Sequence, residues 1–296
     1  MERILIPGTN EVSKEIADSI SRELLLKACK PIHKVFPDGE SYIRIPCNIK
    51  NKEAIVVQSF IQPQDKSFFE AILIGDALRE GGISSSILVV PYMAYARQDK
   101  VFLEGEPISI RVVMKTLRML YERLFVVEIH KEESLKYFGE GAVNISPYTH
   151  MARQLGLESS NIAILSPDIG ALNRAKSLSQ FLKCSYDYLV KKRDRITGDI
   201  VMEPKELDVN NKDIVVVDDI ISTGGTIATA SSILRKHGAR HIYVLVAHAI
   251  MLGEAIGKLR KSGVDEIYAT NTLPKKDGIK YIDIGPLIAN YLSAYG

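Results

Sequence analysis

Two adjacent carboxylates, Asp218 and Asp219, end a run of valines and open onto Ile220-Ile221-Ser222-Thr223-Gly224-Gly225-Thr226. That order reads as strand, acidic pair, small-residue loop, helix. Gly224 and Gly225 permit a tight turn and a close approach of backbone to a ligand. Ser222, Thr223 and Thr226 add hydroxyl donors. The loop opens a helix, whose first N–H groups and dipole favour an anion. These residues make a cradle for a monophosphate. The two carboxylates only accept hydrogen bonds, which suits adjacent hydroxyls of a sugar. The chemistry implied is recognition of a sugar phosphate, with phosphate on the loop and diol on the acids. The plainer alternative is a strand-to-helix turn in which Thr226 caps the helix and the acids are solvated. No G-x-x-x-x-G-K-[ST] occurs and no G-x-G-x-x-G follows a strand, so this is neither a P-loop nor a dinucleotide fingerprint.

Other polar groups have their own spacing. Asp38 and Glu40 flank Gly39, and on an extended stretch both carboxylates share a side with Phe36, whose ring offers a face to a base. A simple hairpin turn at Asp38-Gly39 is the competing reading. Arg97 presents a planar fork of donors for phosphate oxygens, and Gln98 can donate and accept. His130 ends an apolar run and Asp168 precedes Gly170, so both are expected at carboxyl ends of strands, where ligands collect in parallel sheets. Lys191-Lys192-Arg193-Asp194-Arg195 is the densest basic run. It is either a solvated hairpin or a cationic loop, with Lys191 and Arg193 on one face if extended.

The elements that must carry these groups follow from hydrophobic periodicity. Apolar, β-branched runs recur at 3–6, 54–57, 86–90, 124–129, 162–165, 213–217, 241–247, 266–269 and 280–284. Most lack polar alternation, as buried parallel strands do. Helical spacing separates many of them, at 67–80, 107–121, 170–182 and 226–237, with Pro107 suited to a first turn and Gly81 and Gly238 to stops. The chain therefore reads as α/β, with mostly parallel sheets flanked by helices. The halves resemble each other. Ile55-Val-Val leads to Gly81, then Ile87-Leu-Val-Val; Ile214-Val-Val-Val leads to Gly238, then Tyr243-Val-Leu-Val. Two copies of one α/β unit are expected, over 1–145 and 146–296. The first copy has Ser59-Phe60 where the second has its acids and glycines.

Composition narrows the class. The 296 residues are 46% hydrophobic and 25% charged, which suits about two globular domains. A net charge of +2 argues against general nucleic-acid binding. The longest apolar stretches, 87–96 and 244–252, are too short to span a bilayer, and the first residues lack a signal-peptide pattern. Cys29, Cys47 and Cys184 are scattered and odd in number, so neither a disulfide framework nor a cysteine zinc site is expected. The expectation is a reduced, cytoplasmic protein.

The string Val-Val-Val-Asp218-Asp219-Ile-Ile-Ser222-Thr223-Gly224-Gly225-Thr226 resembles the phosphoribosyl diphosphate (PRPP) loop of type I phosphoribosyltransferase folds. Phe36-Pro-Asp-Gly-Glu40, Pro91-Tyr-Met-Ala-Tyr-Ala-Arg97-Gln98-Asp, Ser166-Pro-Asp168-Ile-Gly170 and Asn271-Thr-Leu-Pro274 resemble segments of the ribose-phosphate pyrophosphokinases, in the same order along nearly the whole chain.

The resemblance implies two phosphoribosyltransferase-type domains and transfer of a diphosphoryl group from ATP to the 1-hydroxyl of ribose 5-phosphate. It implies that Phe36, Asp38, Gly39, Glu40, Arg97 and Gln98 bind ATP, the hairpin reaching a neighbouring subunit's site, so that the protein is at least a dimer. Asp218, Asp219, Ser222, Thr223, Gly224, Gly225 and Thr226 would bind ribose 5-phosphate together with Arg193. His130 and Asp168 would hold Mg²⁺. Lys191 and Arg193 would be catalytic, with Lys192 as the alternative to Lys191. The last helical segment, 286–295, would return to the first domain. Glu128, Lys192, Asp194-Arg195 and Ser222 depart from the bacterial pattern. A PRPP-consuming base transferase and a non-catalytic associated protein are the alternatives.

Overall fold

The computed structural model describes residues 1–158, 161–193, 200–204 and 209–295, with the backbone alone for 190–193 and 200–204. The chain forms two compact units. The first holds Met1–Ser146, Asn271–Pro274 and Asp283–Gly296; the second holds Pro147–Thr270 and Lys275–Ile282.

The first unit runs β1 (Arg3–Pro7), α1 (Glu11–Leu24), β2 (Ile32–Val35), β3 (Ser41–Arg44), β4 (Glu53–Val57), α2 (Gln64–Glu80), β5 (Ser85–Val90), α3 (Ser109–Arg118), β6 (Arg123–Val127) and β7 (Ala142–Ile145). Its main sheet is parallel, in the order β1-β4-β5-β6-β7, while β2 and β3 form a separate antiparallel hairpin. The unbroken apolar strands now have their reason. Ile4, Ile6, Val56 and Leu88 face one core with α2 and α3, whereas Leu5, Ile55, Val57 and Ile87 face a second core with α1. Successive residues serve opposite faces, so both faces must be apolar.

The second unit runs α4 (Tyr148–Gln154), β8 (Ile162–Ser166), α5 (Leu172–Leu182), β9 (Ser185–Arg193), β10 (Ile200–Pro204), β11 (Asp213–Ile221), α6 (Gly225–Lys236), β12 (His241–Ala249), α7 (Ala255–Lys261), β13 (Glu266–Thr270) and β14 (Lys280–Ile282). Its sheet order is β10-β9-β8-β11-β12-β13-β14, antiparallel only between β9 and β10. The run β8-β11-β12-β13-β14 repeats β1-β4-β5-β6-β7 in order and direction, so the duplication is real. The chain ends in α8 (Gly285–Ala294), which packs on α1 in the first unit. That Asn271–Pro274 also belongs there had no sign in the sequence.

Several expectations need correcting. Cys29 and Cys47 form a disulfide, with Cα atoms 6.2 Å apart across a sequence separation of 18. Spacing along the chain is silent about distance once the β2–β3 hairpin folds it back. The ground for expecting a reducing compartment is thereby removed. Pro107 precedes the N-cap Ile108 and is not in the first turn of α3. The run at 124–129 ends as a strand at Val127, because Glu128 takes a left-handed φ of 43° while its N–H bonds Ile145 O. His130 therefore lies in the loop beyond the strand. Residues 36–40 are not extended: they form the turn of the hairpin, with Gly39 at φ 98°.

Candidate active site

The acid pair and glycine loop lie at the carboxyl end of β11, in the second unit. Parallel pairing with β8 and β12 fixes that end, and the backbone after it is clamped. Ile250 and Met251 N–H groups both bond Ile221 O, at 2.9 and 3.0 Å, and Leu252 N–H bonds Ser222 O at 2.9 Å. Gly224 is the N-cap of α6 at φ 72°, a conformation costly for any side chain. A Cβ there would also lie 3.3 Å from Leu259 Cγ. The N-cap position is held by Gly224, which has no side chain to bond the first N–H groups of α6, and the expected cap Thr226 lies inside the helix. Its first backbone donors face the loop with Thr223 and Thr226 exposed and Ser222 half-buried. A dianionic phosphate oxygen set is what such an uncapped helix start accepts.

The two carboxylates are not equivalent. Asp219 is buried and lies 3.6 Å from the Arg174 guanidinium, Nη2 to Oδ2. Asp218 Oδ1 accepts the Asp219 N–H at 2.9 Å, and the Tyr148 hydroxyl donates to Asp218 O at 2.8 Å. Burial, followed by the charge of Asp219, pushes the Asp218 carboxyl well above its ordinary range; Arg174 opposes this only in part. Sequence reasoning missed Arg174 and Tyr148. Both sit on helices far from the loop in sequence, and nothing in their local spacing marks them.

Asp168 joins this site. It caps a short 3₁₀ turn, Ile169–Ala171, its Oδ1 accepting the Gly170 N–H at 2.7 Å and the Ala171 N–H at 3.3 Å. Arg174 Nη1 donates to Gly170 O at 3.4 Å, so one arginine links the Asp168 turn to Asp219. The backbone of Lys191 and Arg193 lies on β9, opposite Met202 and Ile200 of β10. Asp194 and Arg195 fall outside the described residues.

The first unit carries the other candidates. Phe36, Asp38, Gly39 and Glu40 occupy the exposed hairpin turn, with Phe36 N–H bonded to Glu40 O at 2.8 Å and its ring edge-on to Tyr42. Asp38 Oδ1 accepts the Glu40 N–H at 3.2 Å, so the acid also shapes the turn. Arg97 is exposed beyond Tyr95, itself at φ 65°. Gln98 Oε1 accepts the Ser109 hydroxyl at 3.3 Å. Where the second unit has its acids, Ser59 is fully buried, its hydroxyl donating to Thr272 O at 2.8 Å, and Phe60 is core. That position is structural in the first unit.

Fold and loop together define a chain of the phosphoribosyltransferase type, duplicated, with the acid pair and glycine loop in one copy. The comparisons sharpen this. Residues 5–120 match the family described as the N-terminal domain of ribose phosphate pyrophosphokinase, and residues 148–272 match the phosphoribosyl transferase domain. A ribose-phosphate pyrophosphokinase of Aeropyrum pernix is 44% identical, covering 98% of this chain and 96% of its own. One of Pyrococcus furiosus is 46% identical over 88% of this chain and 91% of its own. The crystal structure of phosphoribosylpyrophosphate synthetase from Mycobacterium smegmatis superposes with a TM-score of 0.88 at 27% identity, covering 100% of this chain and 99% of that one. The chain belongs to the ribose-phosphate pyrophosphokinase family.

Proposed function

We infer that the chain makes PRPP and AMP from ATP and ribose 5-phosphate, as a ribose-phosphate diphosphokinase serving nucleotide biosynthesis. The carrying observation is the acid pair set above an uncapped helix start in a chain matched end to end by that family. In this reading the 5-phosphate sits on Ser222, Thr223, Gly224, Gly225 and Thr226. The ring hydroxyls donate to Asp218 and Asp219, which fixes the orientation of the sugar on the loop. The 1-hydroxyl oxygen attacks the β-phosphorus. The bond from that phosphorus to the α,β-bridging oxygen breaks, AMP leaves with the oxygen, and the hydroxyl proton is lost. Phosphoryl transfer needs position and positive charge more than covalent help. Lys191 and Arg193 supply that charge, Arg193 also meeting the sugar phosphate. Phe36, Asp38, Gly39, Glu40, Arg97 and Gln98 hold ATP, and the hairpin serves a neighbouring subunit, which makes the protein at least a dimer.

The family is metal-dependent, and the donor set fits Mg²⁺. Among the described residues no cluster of three His, Cys, Asp or Glu side chains is placed to hold a metal. Magnesium at nucleotide sites is held mainly by phosphate oxygens and water with one or two carboxylates. Asp168 would supply such a carboxylate, and His130 would supply a nitrogen donor, the weaker of the two for this ion. The ion, when bound, neutralises phosphate charge. Among the described residues no helix is long and apolar enough to cross a membrane. The cytoplasm is the proposed location, because both substrates are highly charged; intracellular disulfides are common in hyperthermophilic archaea.

The test is direct. Incubation with ribose 5-phosphate, Mg²⁺ and ATP yields AMP; ADP, or no turnover, refutes the reading. Lys191→Ala lowers kcat by about 10²- to 10³-fold if its charge meets the transition state. Unchanged AMP formation would remove Lys191 from that role and leave the activity standing.

A further inference from the structure

The β2–β3 hairpin carries the proposed ATP contacts at its exposed turn, yet a two-stranded hairpin is only marginally stable alone. Two unrelated devices hold it. The first is under its strands. Glu70 of α2 is 3% exposed, and groups from three places surround its carboxylate. Ser41 of β3 donates to Oε1 at 2.8 Å, His33 Nε2 of β2 lies 2.9 Å from the same oxygen, and the Thr9 hydroxyl donates to Oε2. His33 Nε2 is buried and has no aligned hydrogen-bond partner, so it packs against the Glu70 carboxylate without a formed hydrogen bond. Thr9 in turn bonds Gln58 at the end of β4, its N–H reaching Gln58 Oε1 at 3.0 Å. Both hairpin strands are thus tied through one carboxylate to the main sheet.

The second device closes the base of the hairpin. Cys29 is buried at the edge of β1, where its N–H bonds Leu5 O at 2.8 Å. Its disulfide to the exposed Cys47 fixes the chain leaving β3 to the chain entering β2. Everything between, including Phe36, Asp38 and Glu40, lies inside that closed loop.

We propose that Glu70 and the Cys29–Cys47 disulfide are positioning groups for ATP: they hold the arm that presents Phe36, Asp38 and Glu40, and touch no substrate themselves. The proposal rests on the reading of this hairpin as ATP-binding. It makes nucleotide affinity responsive to thiols. A dithiol reagent attacks the accessible Cys47 sulfur, the S–S bond breaks, and two electrons and two protons convert the pair to two thiols as the reagent closes to its own disulfide.

The experiment measures AMP formation against ATP concentration at saturating ribose 5-phosphate. It compares oxidised wild type, dithiol-reduced wild type, Cys47→Ser, Glu70→Gln and Phe36→Ala, each confirmed folded by circular dichroism at the assay temperature. Thiol titration in denaturant counts one free cysteine in the oxidised chain, Cys184, and three after reduction. The expected result is an ATP KM raised by about tenfold on reduction, in Cys47→Ser and in Glu70→Gln, since ordering the freed side chains again costs binding energy. The kcat and the KM for ribose 5-phosphate stay within about twofold. Reoxidation restores the wild-type KM, and a Cys184→Ser background behaves identically. An unchanged ATP KM in reduced, folded protein overturns the proposal, as do three free thiols before reduction. If Phe36→Ala raises the ATP KM while reduction does not, positioning alone fails. If Phe36→Ala has no effect, the ATP reading of the hairpin fails and takes the proposal with it.

Discussion

If Asp218 takes the ring diol as proposed, one side chain couples binding to stability. Its carboxyl is held well above the ordinary range by burial and by Asp219. An unfolded aspartate ionises near pH ~3.9. Between that pH and the raised folded value, the folded chain holds the extra proton, so its stability falls as pH rises. The proposed contact with ribose 5-phosphate asks for the opposite, since a diol donates best to a carboxylate. Asp218→Asn, which keeps the acceptor for the Asp219 N–H, should therefore raise the melting temperature of the free protein at neutral pH. The gain is about 2–4 °C per kcal/mol of relief. It should flatten the decline of melting temperature with pH and raise the KM for ribose 5-phosphate by about 10- to 100-fold. Melting curves from pH 4 to 8 alongside initial rates check both halves.

At the scale of elements, the β11–α6 junction and the β2–β3 hairpin make separate predictions. Gly224→Ala forces a Cβ into a left-handed residue and toward Leu259. A cost of about 1–2 kcal/mol follows, with a raised KM for ribose 5-phosphate and little change in that for ATP, measured by melting and initial rates. Loss of the Cys29–Cys47 link reopens a loop of sequence separation 18, and equilibrium unfolding of the reduced chain should fall by about 3 kcal/mol. The β11 strand and its loop were readable because strand, acids and glycines are contiguous, and local pattern is all that a sequence displays plainly. The main strands were readable because burial on both faces demands apolar runs such as Ile55-Val56-Val57. The hairpin strands were not, being short and half exposed. Helix α1 could have been found: Asn10 accepts the Ser13 N–H as an N-cap, and Val12, Ile16 and Ile20 follow at helical spacing. The bend at Glu128 could not, because a buried acid at positive φ is held by the tertiary bond to Ile145.

On the scale of the whole chain, the first unit is completed by residues from the far end. Ile284, Ile288 and Leu292 are buried in one core with Ile16 and Ile20. A chain truncated after Ile282 forfeits about 5–9 kcal/mol of apolar burial, comparable to the whole stability of a domain. It should be degraded quickly by limited proteolysis and show a weakened near-ultraviolet dichroism, whereas single surface changes on α8 should be silent. The pairing of Arg174 with Asp219 belongs to this scale as well, since only the packed unit brings α5 to the end of β11.

The same threading imposes a schedule on synthesis. A ribosome adds on the order of 5–20 residues per second. Residues of β1, α1 and β4 through β7 emerge early, but α8 follows only after the second unit has been made. For roughly ten seconds the nascent first unit stands with the Ile16–Ile20 side of α1 uncovered, a greasy face in a crowded cell. In that interval the apolar side of α1 that α8 will cover is open to wrong partners.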